Sequence, residues 1–152
     1  MSIRERLEAD IQAAMRSRNQ QRLDALRFLK SAINRVEIDR RVTLDDDGIT
    51  EVVVRQVKDR RDSIRMFEEG NRNDLVAKEA ADLIILEEYM PPQLDEGEIT
   101  ALVEDVIRQV GAESIRDKGK VMGRLMPQVQ GKADGQLVNA IVTRFLESGS
   151  PE

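Results

Sequence analysis

The chain has 152 residues, of which 35% are charged, 40% hydrophobic and only 3% aromatic, with a formal net charge of −5. One Tyr, three Phe and no Trp leave little for stacking bases, and the absence of His and Cys removes the commonest general base, the commonest transition-metal ligand and the thiol nucleophile. The start MSIRERLEAD has no apolar signal segment, and no run approaches the roughly 18 apolar residues of a membrane span, so a cytoplasmic protein with no membrane partner is expected.

The apolar period is helical throughout. Ser2 and Glu5 form a capping box ahead of Ile3, Leu7, Ile11, Ala14 and Met15, which predicts a first helix to about Arg16. Arg18-Asn19-Gln20 is a polar break. A second helix follows over 21–38, with Leu23, Leu26, Leu29, Ile33 and Val36 inward and Ala25, Phe28 and Ala32 widening the stripe. Asp45–Asp47 supply caps and favourable charge for a third helix over 49–69, with Val53, Val57, Ile64 and Phe67 inward. On it, Lys58, Arg61 and Arg65 share a face and form a secondary basic candidate, interleaved with Asp59 and Asp62. Gly70 is expected to close this helix and Asn73 to cap a fourth, over 74–89. Met90-Pro91-Pro92 ends it, because a residue before proline is pushed out of the helical region. A domain boundary is placed there, giving 1–92 and 93–148. Asp95 and Glu98 cap a fifth helix over 96–110, and Asp134–Leu146 forms a last one with Leu137, Val138, Ile141, Val142 and Phe145 inward; Ser148–Glu152 reads as a frayed tail. The fold class is all-α: an N-terminal four-helix unit followed by a small C-terminal three-helix domain.

Between these last two helices lies the stretch least explained by packing, SIRDKGKVMGRLMPQVQGKADG at 114–135. Ser114 and Asp117 signal a helix start, Pro127 is expected to end that helix, and Asp134 to cap the next. Gly119 and Gly123 fall four apart, on one helix face. A glycine inside a helix costs roughly 1 kcal/mol relative to Ala, so the pair needs a reason: close approach of a neighbouring helix, or of a ligand backbone. The candidate RNA-contact set is Lys118, Gly119, Lys120, Gly123, Arg124, Gly131 and Lys132. Lys118 and Lys120, two apart, cannot both point at one spot.

Charge is unevenly spread. Met1–Met66 holds fifteen basic and twelve acidic residues, Phe67–Asp105 two and twelve, and Val106–Glu152 seven and five. The acidic middle argues against indiscriminate nucleic-acid binding while leaving room for a local basic face. No catalytic residue, metal site or cofactor site is assigned. Gly119-Lys120 is not a phosphate-binding P-loop, because no glycine lies five residues earlier and Val121 stands where Ser or Thr is required. Asp45–Asp47 are adjacent turn residues that point apart, and helix capping accounts for them.

Asp117-Lys118-Gly119-Lys120-Val121-Met122 followed by Gly131-Lys132-Ala133-Asp134-Gly135 resembles the signature of the YqeY family. Arg60-Arg61-Asp62-Ser63-Ile64, Phe67, Gly70-Asn71-Arg72 and Leu86-Glu87-Glu88-Tyr89-Met90-Pro91 extend the resemblance over essentially the whole chain; Asn71 departs from an expected direct Gly-Arg pair. The resemblance implies a free-standing relative of the C-terminal helical and tail regions of the B subunit of the tRNA-dependent Asp/Glu amidotransferase (GatB/YqeY-like). That enzyme is a carbon–nitrogen ligase using glutamine as amido-nitrogen donor. This chain shows no amidase constellation or nucleotide loop of its own, so the label passes to it by homology, and catalysis by the isolated chain is not expected.

Two functional classes follow. One is a tRNA-binding accessory module that meets phosphates through its basic residues and reads shape rather than stacked bases. The other is a protein-interaction module that docks on amidotransferase subunits, an aminoacyl-tRNA synthetase or another partner without RNA.

Overall fold

The computed structural model describes residues 1–148. Among them are seven α-helices, one 3-10 turn and no strand, so the all-α expectation holds. The helices are α1 (Ile3–Arg16), α2 (Gln20–Arg40), α3 (Asp46–Glu69), α4 (Asn73–Glu87), α5 (Glu96–Val110), α6 (Lys118–Val129) and α7 (Gly135–Glu147), with the 3-10 turn Ile115–Asp117 before α6. Of the tail expected over Ser148–Glu152, Ser148 caps the C-terminal end of α7 and the rest lies outside the described residues. The chain divides into two compact units, Met1–Met90 and Pro91–Glu152, each with its own apolar core. No helix among the described residues is long and apolar enough to cross a membrane.

Short polar side chains set most helix starts. Ser2 accepts from the Glu5 amide at 3.1 Å, Asn19 from Arg22 at 3.1 Å, Asp45 from Gly48 at 2.9 Å and Asp95 from Glu98 at 2.7 Å. The break at 18–20 works without glycine because Arg18 takes the left-handed conformation, φ 56°. The turn into α4 differs from expectation. Gly70 has φ −87°, and Asn71 is the left-handed residue, with φ 57°. The Arg72 amide bonds the Phe67 carbonyl at 2.8 Å and the Asn71 amide bonds Glu68 at 3.1 Å, which completes a Schellman closure. Asn73 is then already helical. Arg72 occupies the cap position with no side-chain cap bond and pairs with Asp74 instead.

In the N-terminal unit Leu7, Leu26, Leu29, Ile49, Val53 and Leu86 are buried among α1–α4. Four residues expected in this core are corrected. Met15 and Phe28 are 44% and 48% exposed, and Ile64 and Phe67 are only partly buried and outside the core cluster. At 24 residues α3 outruns the 14-residue α1, so its far end has fewer helices to cover it. Phe28 keeps a role at the surface: the Arg60 guanidinium sits 4.6 Å from its ring centroid. Arg60 also bonds Glu79 at 2.6 Å and lies 3.6 Å from Asp82, with all three side chains mostly buried. One arginine therefore ties α2, α3 and α4 together. Burial raises the Asp82 carboxyl above its usual range, opposed by the Arg60 charge.

A second polar corner closes the end of α4. The Tyr89 hydroxyl donates to Asp10, Arg22 grips Glu88 at 2.8 and 3.3 Å, and Arg6 covers the Tyr89 ring at 4.4 Å while donating to the Glu88 carbonyl. Burial, then the Asp10 hydrogen bond and the Asp10 charge, push the phenol well above its ordinary value of 10.0. In the unfolded chain the phenol ionises near that ordinary value, and in the folded chain only well above it. Its contribution to stability is therefore complete below about pH 10 and lost as pH rises beyond. Because Tyr89 is the one tyrosine and there is no Trp, the ultraviolet phenolate band reports it alone. Its midpoint should lie well above 10 in the folded protein and near 10 in concentrated urea; equal midpoints would rule out the Asp10 contact. Arg60→Ala should destabilise the N-terminal unit by about 3 kcal/mol in urea unfolding, because two carboxylates are left without their partner.

Candidate nucleic-acid interface

In the C-terminal unit α5, α6 and α7 bury Ile99, Val103, Val106, Val121, Leu125, Val129, Val138 and Ile141 against one another. Leu137, expected inward, is instead 38% exposed on α7. The approach to α6 is fixed by a complete capping box at Ser114 and Asp117. The Asp117 carboxylate accepts from the Glu113 and Ser114 amides at 2.9 and 3.4 Å. Those amides hold it below the usual carboxylate range, with a lesser contribution from the Lys120 charge. Its negative charge is thus committed to the backbone at the start of α6.

The helical period sorts α6 into rows. Val121, Leu125 and Val129 are buried; Lys118, Met122 and Met126 flank them, partly buried. Two rows are exposed: Gly119, Gly123 and Pro127 in one, Lys120, Arg124 and Gln128 beside it. The outer face therefore has a strip with almost no side chain next to a strip of cations. A Cβ built on Gly119 or Gly123 would meet nothing within 4 Å. Among the described residues, helix packing is therefore not the reason for either glycine.

Pro127 does not end the helix as expected; α6 continues to Val129. Proline lacks an N–H, and its ring crowds the carbonyl four residues back. That residue is Gly123, whose backbone yields most easily and whose carbonyl receives no bond from position 127. Full burial of Val129 holds the final turn in place.

The structure places Lys120 and Arg124 one turn apart on the exposed face. It sets Lys118 on the flank with Met122, away from them. Gly131 has a conformational reason of its own, at φ 78°. Its carbonyl accepts from Gln93 Nε2, and the Lys132 carbonyl from the Leu94 amide, both at 2.8 Å. Lys132 is exposed on this tied-down turn. Asp134 caps α7 through the Gln136 amide at 2.9 Å, as expected. Among the described residues Lys118, Lys120, Arg124 and Lys132 form no ion pair. Arg124 Nε instead donates to Gln109 Oε1 on α5 at 2.8 Å. Lys58, Arg61 and Arg65 all lie exposed on α3 in the other unit, and of these Arg65 is paired with Asp62. Sequence reasoning passed over Gln109, since nothing in a lone glutamine near a helix end signals a contact fifteen residues away. A surface cleft of about 470 Å³ beside the starts of α1 and α3, lined by Arg4 and Asp45–Asp47, is accounted for by capping and by the Asp46 bond to the Ile3 amide.

Comparison with known proteins supplies the family. A family model described as Yqey-like protein matches residues 4–146. Altered inheritance of mitochondria protein 41, mitochondrial, from Pyrenophora tritici-repentis is 34% identical over 130 residues, covering 84% of this chain and 71% of that protein. The protein of the same name from Saccharomyces cerevisiae is 26% identical over 151 residues, covering 93% and 82%. The E subunit of the glutamyl-tRNA(Gln) amidotransferase from Thermococcus sibiricus is 28% identical over 120 residues, covering 66% of this chain but 17% of that protein. With the family model spanning both units, the chain belongs to the YqeY family.

Proposed function

We propose that this chain is an accessory RNA-binding module, with tRNA as its class of ligand, that holds the sugar–phosphate backbone on the exposed face of α6. The observation that carries this reading is the open row of Gly119 and Gly123 beside Lys120 and Arg124, two exposed cations that form no ion pair among the described residues. Gly123, inside the helix, costs roughly 1 kcal/mol relative to Ala, and Gly119, in the first turn, adds less; nothing packed against either among the described residues accounts for that cost. A ligand backbone needing close approach does. The choice of tRNA rests on likeness to one component of a glutamyl-tRNA(Gln) amidotransferase. Catalysis is assigned to no residue of this chain, so carbon–nitrogen ligase chemistry belongs, on this reading, to larger assemblies the module serves. Work in the cytoplasm is part of the proposal from the sequence, although two relatives carry mitochondrial in their names.

Few phosphates can be neutralised by so small a set. Binding of total tRNA, titrated from about 25 to 200 mM salt, should show a log–log slope of about −1.4 to −2.7, from two or three phosphates. Lys120→Glu/Arg124→Glu should abolish most of that slope while the protein remains helical. If wild type binds no tRNA at the lowest salt, the reading fails and a protein partner becomes the leading alternative. The glycines give a sharper test. Gly119→Ala and Gly123→Ala should each raise stability, by up to about 1 kcal/mol, and yet weaken tRNA binding. Stabilisation with unchanged binding would remove the glycines from the site.

A further inference from the structure

Arg124 differs from the other guanidiniums that a side-chain oxygen holds. Arg4, Arg22, Arg60, Arg65, Arg72 and Arg108 each bond a carboxylate. A carboxylate orients a guanidinium and also cancels its charge. Gln109 supplies a single neutral acceptor, 2.8 Å from Arg124 Nε, across from α5 to α6. The amide directs the side chain and leaves the full positive charge in place. It also decides which edge of the guanidinium is available. With Nε occupied, the two terminal nitrogens remain as the fork that can meet two oxygens of one phosphate.

We propose that Gln109 is a positioning residue that holds Arg124 with its terminal fork toward an RNA phosphate without neutralising it. The proposal rests on the RNA reading of the α6 face and adds a residue from α5 to that site. It also explains why an amide is suited to this position. Glutamate would make the same contact and turn Arg124 into one more internal ion pair, like Arg108 with Asp105 on the preceding turn of α5.

The test compares wild type, Gln109→Leu, Gln109→Glu, Arg124→Gln and the Gln109→Leu/Arg124→Gln double variant by tRNA binding across the same salt range. Gln109 is exposed, so helicity and melting should be unchanged. Gln109→Leu should weaken binding about three- to fivefold, as expected for one neutral hydrogen bond, with its salt slope kept. Gln109→Glu should lower the slope by about 0.7 to 0.9, one phosphate's share. In the Arg124→Gln background Gln109→Leu should have no further effect. The Arg124 Nε–H resonance should shift in Gln109→Leu without RNA, which checks the contact itself. Wild-type binding with Gln109→Leu unaffected, or equally affected in both backgrounds, would overturn the role of Gln109 alone. No wild-type binding would overturn the RNA reading and this proposal with it.

Discussion

The corner of Asp10, Arg22, Glu88 and Tyr89 is the constraint on which the N-terminal unit depends. Its core is almost wholly aliphatic, and aliphatic burial is non-directional: it brings helices together without fixing their rotation. Directional contacts must do that. Helix α4 most needs them, since its start lacks a side-chain cap and its first turns are partly exposed. The Arg22 grip on Glu88 and the Tyr89 bond to Asp10 fix its far end against α1 and α2, while Arg60 fixes its middle against α3. Buried or half-buried ion pairs add little net stability, because desolvation offsets attraction. Here their effect is to make one arrangement of four smooth helices distinct from its neighbours.

The C-terminal unit solves the same problem with less polar apparatus. Its buried residues are all aliphatic, and its order comes from caps and turns. Helix α6 has 12 residues, two of them exposed glycines and one a proline. In isolation such a helix would not form. Full burial of Val121, Leu125 and Val129 contributes about 1.5–3 kcal/mol each, which exceeds the glycine cost of at most roughly 2 kcal/mol. Packing therefore wins on the inner face. That surplus lets the outer face carry residues that cost stability.

The helices were legible in the sequence because long apolar periods survive local irregularity, and the capping residues Ser2, Asp95, Ser114 and Asp134 act within a few residues of themselves. What escaped was non-local or a matter of degree. Pro127 reads as a stop, but nothing local reveals that Val129 is anchored in a core. Asn73 reads as a cap, but Asn71 had already turned the chain. Phe28 reads as core, whereas Arg60, thirty-two positions on, covers it at the surface. The glycine pair on α6 was visible as an anomaly, and the open space around it among the described residues removes support for helix approach as its reason. Gln109 had no local signal at all, since its partner is brought to it only by the packing of α5 on α6.

A net charge of −5 sets the conditions under which the α6 face can act. Lys120 and Arg124 are one helical turn apart, about 6 Å along the axis. That is within the roughly 8 Å Debye length at physiological ionic strength, so on the RNA reading the two cations would act together on one phosphate. Carboxylates farther away than this are largely screened. On the RNA reading, the local face then meets a phosphate with most of the whole-molecule repulsion screened. Lower salt lengthens the reach of that repulsion, but counterion release strengthens the same contacts more, so the proposed binding is tightest at the lowest salt. A weak, local and salt-sensitive interaction of the kind proposed would suit a module that assists a larger assembly better than one that captures RNA by itself. The neutral Gln109 contact follows the same logic, since with so few cations the loss of even one to an internal carboxylate would remove a large share of the attraction.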